Sequence, residues 1–224
     1  MTTTTAPIRM RDRIPAQTLI EEALAGEPAE GAAAARCRAA EGQRQIAGEL
    51  ALLPAGWIVF HSLPLPTEGV LDHVVVGPTG VFPVVVAHHP GRRMTVAGRV
   101  VTVAGTRLPT VLGAEADADR VGRLLAAQHL GVVPVQPVVV AGAGTRLKVA
   151  ERPRGVLVVA AEQLRARLLE KPVVLAADEV ASVVRLLDAP EYWGPTADAQ
   201  PDLLQRFAEL ETRTQPRRLR FLSR

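Results

Sequence analysis

The chain has 224 residues, of which 48% are hydrophobic and 22% charged, so it can bury one sizeable core and is too apolar to be disordered throughout. Aromatic residues make up only 3%, so the core must consist of aliphatic side chains, a mixture typical of strands alternating with helices. The single cysteine, Cys37, excludes an internal disulfide and a cysteine-rich metal site. We therefore expect one α/β domain with tails.

The net charge of +3 is unevenly distributed. Residues 1–13 contribute +2 and residues 206–224 contribute +4, so the stretch between them carries −3. A folded body that holds DNA normally carries a basic stripe, because neutralisation of phosphates supplies most of the non-specific affinity. Any contact with a polyanion is therefore predicted to involve the basic ends of the chain.

No segment of the sequence has the length of a membrane span. Residues 1–13 contain no apolar stretch, and the apolar run at residues 132–143 is shorter than the ~20 residues needed to cross a bilayer. A lone cysteine also suits a reducing compartment. We expect a protein that makes no membrane contact and works in the cytoplasm.

The N-terminal part is predicted to be an arm followed by a helix. Residues 1–35 are rich in Thr, Ala, Pro and Gly, which favours a flexible arm outside the domain. Over residues 36–53 apolar side chains recur at spacings of four and three, which places them on one helical face. These side chains are Ile46, Leu50 and Leu53.

Three strands are predicted next, at residues 57–61, 70–76 and 80–87. The last two contain runs of three valines without alternation, as expected of central strands covered on both faces. The sequence Gly77-Pro78-Thr79-Gly80 joins them and indicates a hairpin. Pro83 cannot donate to a ladder and should lie at a bulge or an unpaired position. A second hairpin is predicted from residues 94–97 and 100–103.

The remaining elements complete an α/β pattern with one main sheet. The expected helices cover residues 112–130, 161–169 and 177–187, and the expected strands cover residues 135–141 and 155–160. Residues 191–224 are predicted to form a basic tail. The segment Gly142-Ala143-Gly144 resembles part of a dinucleotide-binding motif but lacks its third glycine. It is therefore interpreted as a loop between strands.

The most specific motifs lie between residues 41 and 82. They read EGQRQIA at residues 41–47, GW at residues 56–57 and LDHVVVGPTGVF at residues 71–82. These motifs resemble the nuclease-related domain (NERD) family, and the resemblance covers about residues 36–190. It implies a restriction-endonuclease-like core, with a central mixed β-sheet flanked by helices.

The resemblance also implies a metal-dependent cutting site. In the family, a helix Glu, a strand Asp and a Glu-x-Lys on the next strand converge. Two carboxylates hold Mg²⁺, which polarises the scissile phosphate, while the lysine positions the attacking water. In this chain Asp72 matches the strand Asp, and it should lie beside Val85 on the adjacent strand.

This sequence departs from the family pattern at the other three positions. Gln43 stands at the helix acid, Val85 at the second strand carboxylate and Ala87 at the lysine. One carboxylate is a poor site for Mg²⁺, which needs several oxygens in octahedral geometry. We therefore expect a catalytically inactive pseudo-nuclease without a cofactor, in which Asp72 is at most a weak metal ligand. Its partner would be DNA or a DNA-processing protein.

An alternative keeps the chemistry with relocated groups. Glu41, Glu49 and Glu68 are candidate replacements for the lost carboxylates, and Arg92 or Arg93 could supply positive charge. The protein would then be a Mg²⁺- or Mn²⁺-dependent DNA endonuclease. The sequence leaves this alternative and the oligomeric state open.

Two further polar features have structural interpretations. The Asp72 carboxylate is expected to accept hydrogen bonds from backbone groups near the hairpin, rather than to bind a metal. The pair His88-His89 invites a metal interpretation, but adjacent side chains of a strand point to opposite faces and do not easily chelate one ion. A position at the rim of the site is expected for these two histidines.

Overall fold

The computed structural model describes residues 9–25, 31–67, 69–128, 132–195 and 202–214. The strands are β1 (Ile58–Pro64), β2 (Val70–Gly77), β3 (Gly80–Ala87), β4 (Arg93–Ala97), β5 (Val100–Val103), β6 (Thr106–Leu108), β7 (Val138–Ala141), β8 (Arg146–Glu151) and β9 (Leu157–Ala160). The α-helices are α1 (Gln17–Ala25), α2 (Ala32–Leu50), α3 (Thr110–Ala127), α4 (Leu164–Leu169), α5 (Ala177–Leu187) and α6 (Leu203–Thr214). None of the helices in these ranges is long and apolar enough to span a membrane.

A five-stranded mixed sheet forms the centre of the fold, with strand order β1-β2-β3-β7-β9. β1, β2 and β3 are antiparallel neighbours, while β3, β7 and β9 run parallel. The α/β class and the central mixed sheet expected from the sequence are therefore confirmed.

Helices cover both faces of this sheet. On one face, α2 and α4 pack against Val75 and Val84. On the other face, α3 and α5 pack against Val74 and Val76. Consecutive valines of β2 therefore point into different cores. This burial on both faces accounts for the unbroken valine run, as predicted.

The β2–β3 hairpin that the sequence indicated is closed by a two-residue connection, Pro78 and Thr79. Gly77 pairs with Gly80, and Gly80 has a φ of 130°, a conformation that favours glycine. Pro83 pairs with Val74 of β2. On the β7 side the pairing is interrupted at residues 82 and 83, between the Val81 bridge and Val84. Pro83 thus lies at a gap in that ladder, where its missing N–H is tolerated.

A second, four-stranded sheet with order β6-β5-β4-β8 extends the predicted architecture. β4 follows β3, and β8 follows β7, so the parallel pair β3–β7 continues into the parallel pair β4–β8. The β4–β5 hairpin was predicted. β6 was not, because it has only three residues, and β8 was not, because its apolar alternation is limited to Leu147 and Val149.

Residues 9–25, which belong to the arm predicted from the sequence, pack against the domain. Met10 is fully buried in the core beneath β1 and β2, and Ile20 of α1 is fully buried against α2 and α6. Arg13, also buried, donates from Nε to the carbonyl of Ser62 at 2.7 Å. The buried anchors are widely spaced in a polar, Thr- and Ala-rich stretch, so composition did not indicate them.

The C-terminal segment is likewise more than a solvated tail in its described part. Residues 203–214 form α6, and Phe207 is fully buried against α1 and α2. The Arg-rich residues 215–224, on which the basic-tail prediction rests, lie outside the described residues.

Candidate active site at Asp72

The hairpin register brings the expected site positions together. His73 pairs with Val84, so the next positions outward, Asp72 and Val85, lie beside each other on adjacent strands, as predicted. Gln43 reaches this point from α2. Asp72, Val85 and Ala87 line one cleft.

Both oxygens of the Asp72 carboxylate are engaged by protein donors. The side-chain amide of Gln43 donates from Nε2 to Oδ1 at 2.5 Å, and the backbone N–H of Val86 donates to Oδ2 at 2.8 Å. The β2–β3 ladder ends at His73 and Val84, so Asp72 accepts an N–H that no carbonyl of β2 receives. This is the backbone-binding role that the sequence indicated for Asp72.

A second acid, Asp117 of α3, shares the cleft with Asp72. The cleft has a volume of about 380 Å³, and His89 and Thr110 also line it. Glu115, Asp117 and Asp119 alternate with alanines, a spacing that points them to different sides of a helix. Nothing in the local pattern therefore singles out Asp117 as a site residue.

The two carboxyl groups of the cleft are electrostatically perturbed. Burial raises the pKa of Asp72 to about 7, the Val86 N–H opposes this rise, and the charge of Asp117 adds to it. Burial raises the pKa of Asp117 to about 6, against the lowering effect of its ion pair with Arg120 at 2.9 Å. Two acids with raised pKa values in one cleft repel when both are ionised.

The groups around Asp72 do not fit a Mg²⁺ ion. Gln43 presents an N–H, not an oxygen, to the carboxylate, and Val85 and Ala87 are apolar. Mg²⁺ requires several oxygen ligands in octahedral geometry. Among the described residues, no group of three or more His, Cys, Asp or Glu side chains could hold a metal ion.

The candidate replacements for the lost carboxylates and lysine do not lie in the cleft. Glu41 and Glu49, both on α2, do not line the cleft. Arg93 is exposed on β4, in the second sheet. Glu68 lies outside the described residues. Asp117 is therefore the one additional acid that the described structure brings into the cleft.

His88 and His89 follow the end of β3 at Ala87, outside the strand, and lie in different surroundings. His89 lines the cleft. The His88 ring packs between two glycines: a Cβ built on Gly42 would lie 2.3 Å from Cβ of His88, and one built on Gly142 would lie 2.6 Å from Nδ1. The ring of His88 thus fixes the approach of α2 to the end of β7.

A buried histidine pair that the sequence did not indicate lies next to Asp72. The Nδ1 atoms of His61 on β1 and His73 on β2 are 2.8 Å apart, so one ring donates and the other accepts. His73 is completely buried. Burial lowers the pKa of His61 to about 4 and, together with the neighbouring His61, lowers that of His73 to about 3. Both rings are neutral near pH 7.

Comparison with known proteins gives one match. Residues 38–142 match the family described as the nuclease-related domain. No curated protein and no solved structure matches the chain. The matched region includes most of α2, the β2–β3 hairpin, α3 and β7, and therefore every position of the candidate site.

Proposed function

From the nuclease-related domain that the chain carries at residues 38–142, we propose that the protein does not cut nucleic acid through metal ions and acts instead as an interaction module. Its partner is DNA or a DNA-processing protein. We also propose that the protein works in the cytoplasm, because its single cysteine, Cys37, suits a reducing compartment.

The hydrogen bonding of Asp72 carries this proposal. In a metal-dependent site, two neighbouring carboxylates share a cation that offsets their repulsion. Here an amide takes the place of one carboxylate, and its N–H offers the positive end of a dipole to Oδ1 of Asp72. Together with the Val86 N–H, it satisfies both oxygens of Asp72 without any metal. This closed arrangement supports a structural role for Asp72.

The runner-up is a Mg²⁺- or Mn²⁺-dependent DNA endonuclease. One observation favours it, namely the presence of Asp117 beside Asp72 in an open cleft. A rotation of Gln43 that released the Asp72 carboxylate would leave two acids facing the same space. The two candidates differ in whether the cleft has measurable affinity for a divalent metal.

Calorimetric titration of the full chain with Mg²⁺ and Mn²⁺ tests the proposal. We expect no saturable heat from the wild type, and the same flat titration from Asp72→Asn and Asp117→Asn. A saturable signal that both substitutions abolish would overturn the proposal in favour of the endonuclease. A signal that neither substitution changes would locate the metal elsewhere and leave the Asp72 cleft without one, as proposed.

A further inference from the structure

The outer face of the second sheet has a composition different from the rest of the surface. Met94 and Val96 of β4 and Val101 and Val103 of β5 point inward and are buried in the core shared with α3. Because side chains alternate along a strand, the residues between them point away from the core. These outward residues define what we call the basic face.

Strand register aligns the cations of this face in two adjacent rows. In the first row, Lys148, Thr95, Thr102 and Arg107 are paired neighbours across β8, β4, β5 and β6. In the second row, Arg146 pairs with Arg93. Four cations and two hydroxyls therefore lie on a patch four strands wide.

These four cations are not neutralised by acids. Among the described residues, none of Arg93, Arg107, Arg146 and Lys148 has a carboxylate within ion-pair distance, and all four are exposed. The acid on the same face, Glu151, pairs with Ala97 at the opposite end of the sheet, beside Gly98. The net charge of the stretch between residues 13 and 206 is −3. This net value does not reveal the local cluster of positive charge on the basic face.

We propose that the basic face binds the phosphate backbone of a nucleic acid duplex. Cations next to hydroxyl groups supply the hydrogen-bond donors that phosphate oxygens accept from. The face carries no aromatic side chain on which unpaired bases could stack. Of its outward residues, Val100 at the rim is the exposed large apolar one, so nothing is present to insert into a lipid layer.

The basic face lies apart from the Asp72 cleft. Leu108 of β6 lines the cleft, whereas its neighbour Arg107 belongs to the basic face on the other side of the strand. Binding at this face therefore requires nothing from Asp72. The inference deepens the interaction part of the proposed function by naming its partner, and it stands or falls separately from the question of cleavage.

Duplex binding by the full chain, measured in EDTA so that cleavage plays no part, tests the inference. The probe is a fluorescent DNA duplex of about 20 base pairs, titrated at several salt concentrations between ~0.05 and ~0.2 M. The test variant replaces the four cations of the basic face with glutamine: Arg93→Gln, Arg107→Gln, Arg146→Gln and Lys148→Gln. A matched control removes the same number of charges from exposed helix positions: Arg38→Gln, Arg123→Gln, Arg165→Gln and Arg185→Gln.

The basic-face variant should lose about tenfold to a hundredfold in affinity, and the magnitude of its log–log salt slope should fall by about 3 to 4. The control should stay within about threefold of the wild type, since it lacks aligned phosphate contacts. Equal losses in the two variants would overturn the inference, because net charge alone would then explain binding. So would absence of duplex binding by the wild type, or stronger binding to phosphatidylserine vesicles than to the duplex.

Discussion

Gln43 of α2 donates its side-chain amide to the carboxylate of Asp72 on β2, with 2.5 Å between Nε2 and Oδ1. The contact ties the helix to the strand at the point where the β2–β3 ladder ends. Gln43 is itself buried, and its Oε1 has no partner. The amide can therefore rotate to offer either a donor or an acceptor to residue 72.

This freedom predicts different outcomes for two substitutions of Asp72. Asp72→Asn should change the free energy of unfolding by less than about 1 kcal/mol, because Asn accepts from Val86 and donates to a rotated Gln43. Asp72→Ala leaves both donors without a partner and should cost about 2 to 4 kcal/mol. Urea unfolding of the two variants measures the difference. Equal costs would contradict the hydrogen-bonding role.

The close contact between α2 and His88 predicts a pronounced difference between two glycines of one helix. Gly42→Ala places a methyl group against the His88 ring and should destabilise the fold by about 1 to 3 kcal/mol. Gly48→Ala is the control, since nothing lies within 4 Å of its added Cβ. Alanine should stabilise that exposed helix position by about 0.5 to 1 kcal/mol. Thermal unfolding of both variants provides the measurement. An unchanged stability of Gly42→Ala would contradict the close packing of Gly42 against His88.

The titratable groups near the site predict opposing pH dependences. His61 and His73 have lowered pKa values, so their contribution is present above pH 6.5 and is lost as the pH falls towards about 4. Asp72 has a raised pKa, so its contribution is present below pH 3.8 and is lost as the pH rises through about 7. The two effects overlap between pH 4 and 6.5 and offset each other in the wild type.

Variants should separate these two contributions. Asp72→Asn removes one of them, so this variant should lose stability more steeply than the wild type on acidification from pH 6.5 to pH 4.5. A double substitution, His61→Phe with His73→Leu, removes the other and should make stability rise over the same interval. Urea midpoints at four pH values provide the measurement. Parallel profiles for all three proteins would show that these groups are not perturbed as described.

Rebuilding the cutting site tests whether the side chains at positions 43, 72, 85 and 87 converge closely enough to bind one metal ion. The triple variant Gln43→Glu, Val85→Glu and Ala87→Lys restores the missing carboxylates and lysine beside Asp72 and should bind Mg²⁺ in a calorimetric titration. Burying these charges could cost several kcal/mol, so folding is checked first by circular dichroism. The matched control, Val85→Gln with Ala87→Met, has a similar shape but keeps Gln43 and restores no carboxylate, so it should bind no metal. A folded triple variant without metal affinity would show that the positions do not converge.

The sequence predicted the hairpin and its surroundings because the information there is local. Valine runs, turn glycines and the motif around Asp72 lie within residues 70–87, and the structure confirms their pairing. The site's second acid was not predictable in this way. Asp117 reaches the cleft only because α3 packs across β3 with one particular rotation, which no short pattern encodes.

The basic face and the packed N-terminal segment were missed for the same physical reason. The four cations of the face are spread over residues 93–148 and are aligned only by strand register. Met10 is an isolated apolar residue and Ile20 lies in a short apolar stretch, and the burial of both depends on distant partners in β1, α2 and α6. Composition averaged over a segment reports neither arrangement.

Nicking of supercoiled plasmid DNA by the full chain, in Mg²⁺ and in Mn²⁺, shows whether Asp72 serves a cutting site or only holds the fold. Asp72→Asn serves as the comparison because it should keep the fold while removing a carboxylate. If Asp72 holds the hairpin and α2 together without a metal, the wild type and Asp72→Asn will both leave the plasmid supercoiled. Metal-dependent nicking by the wild type that disappears in a folded Asp72→Asn variant would contradict the account and identify Asp72 as a ligand of an active nuclease.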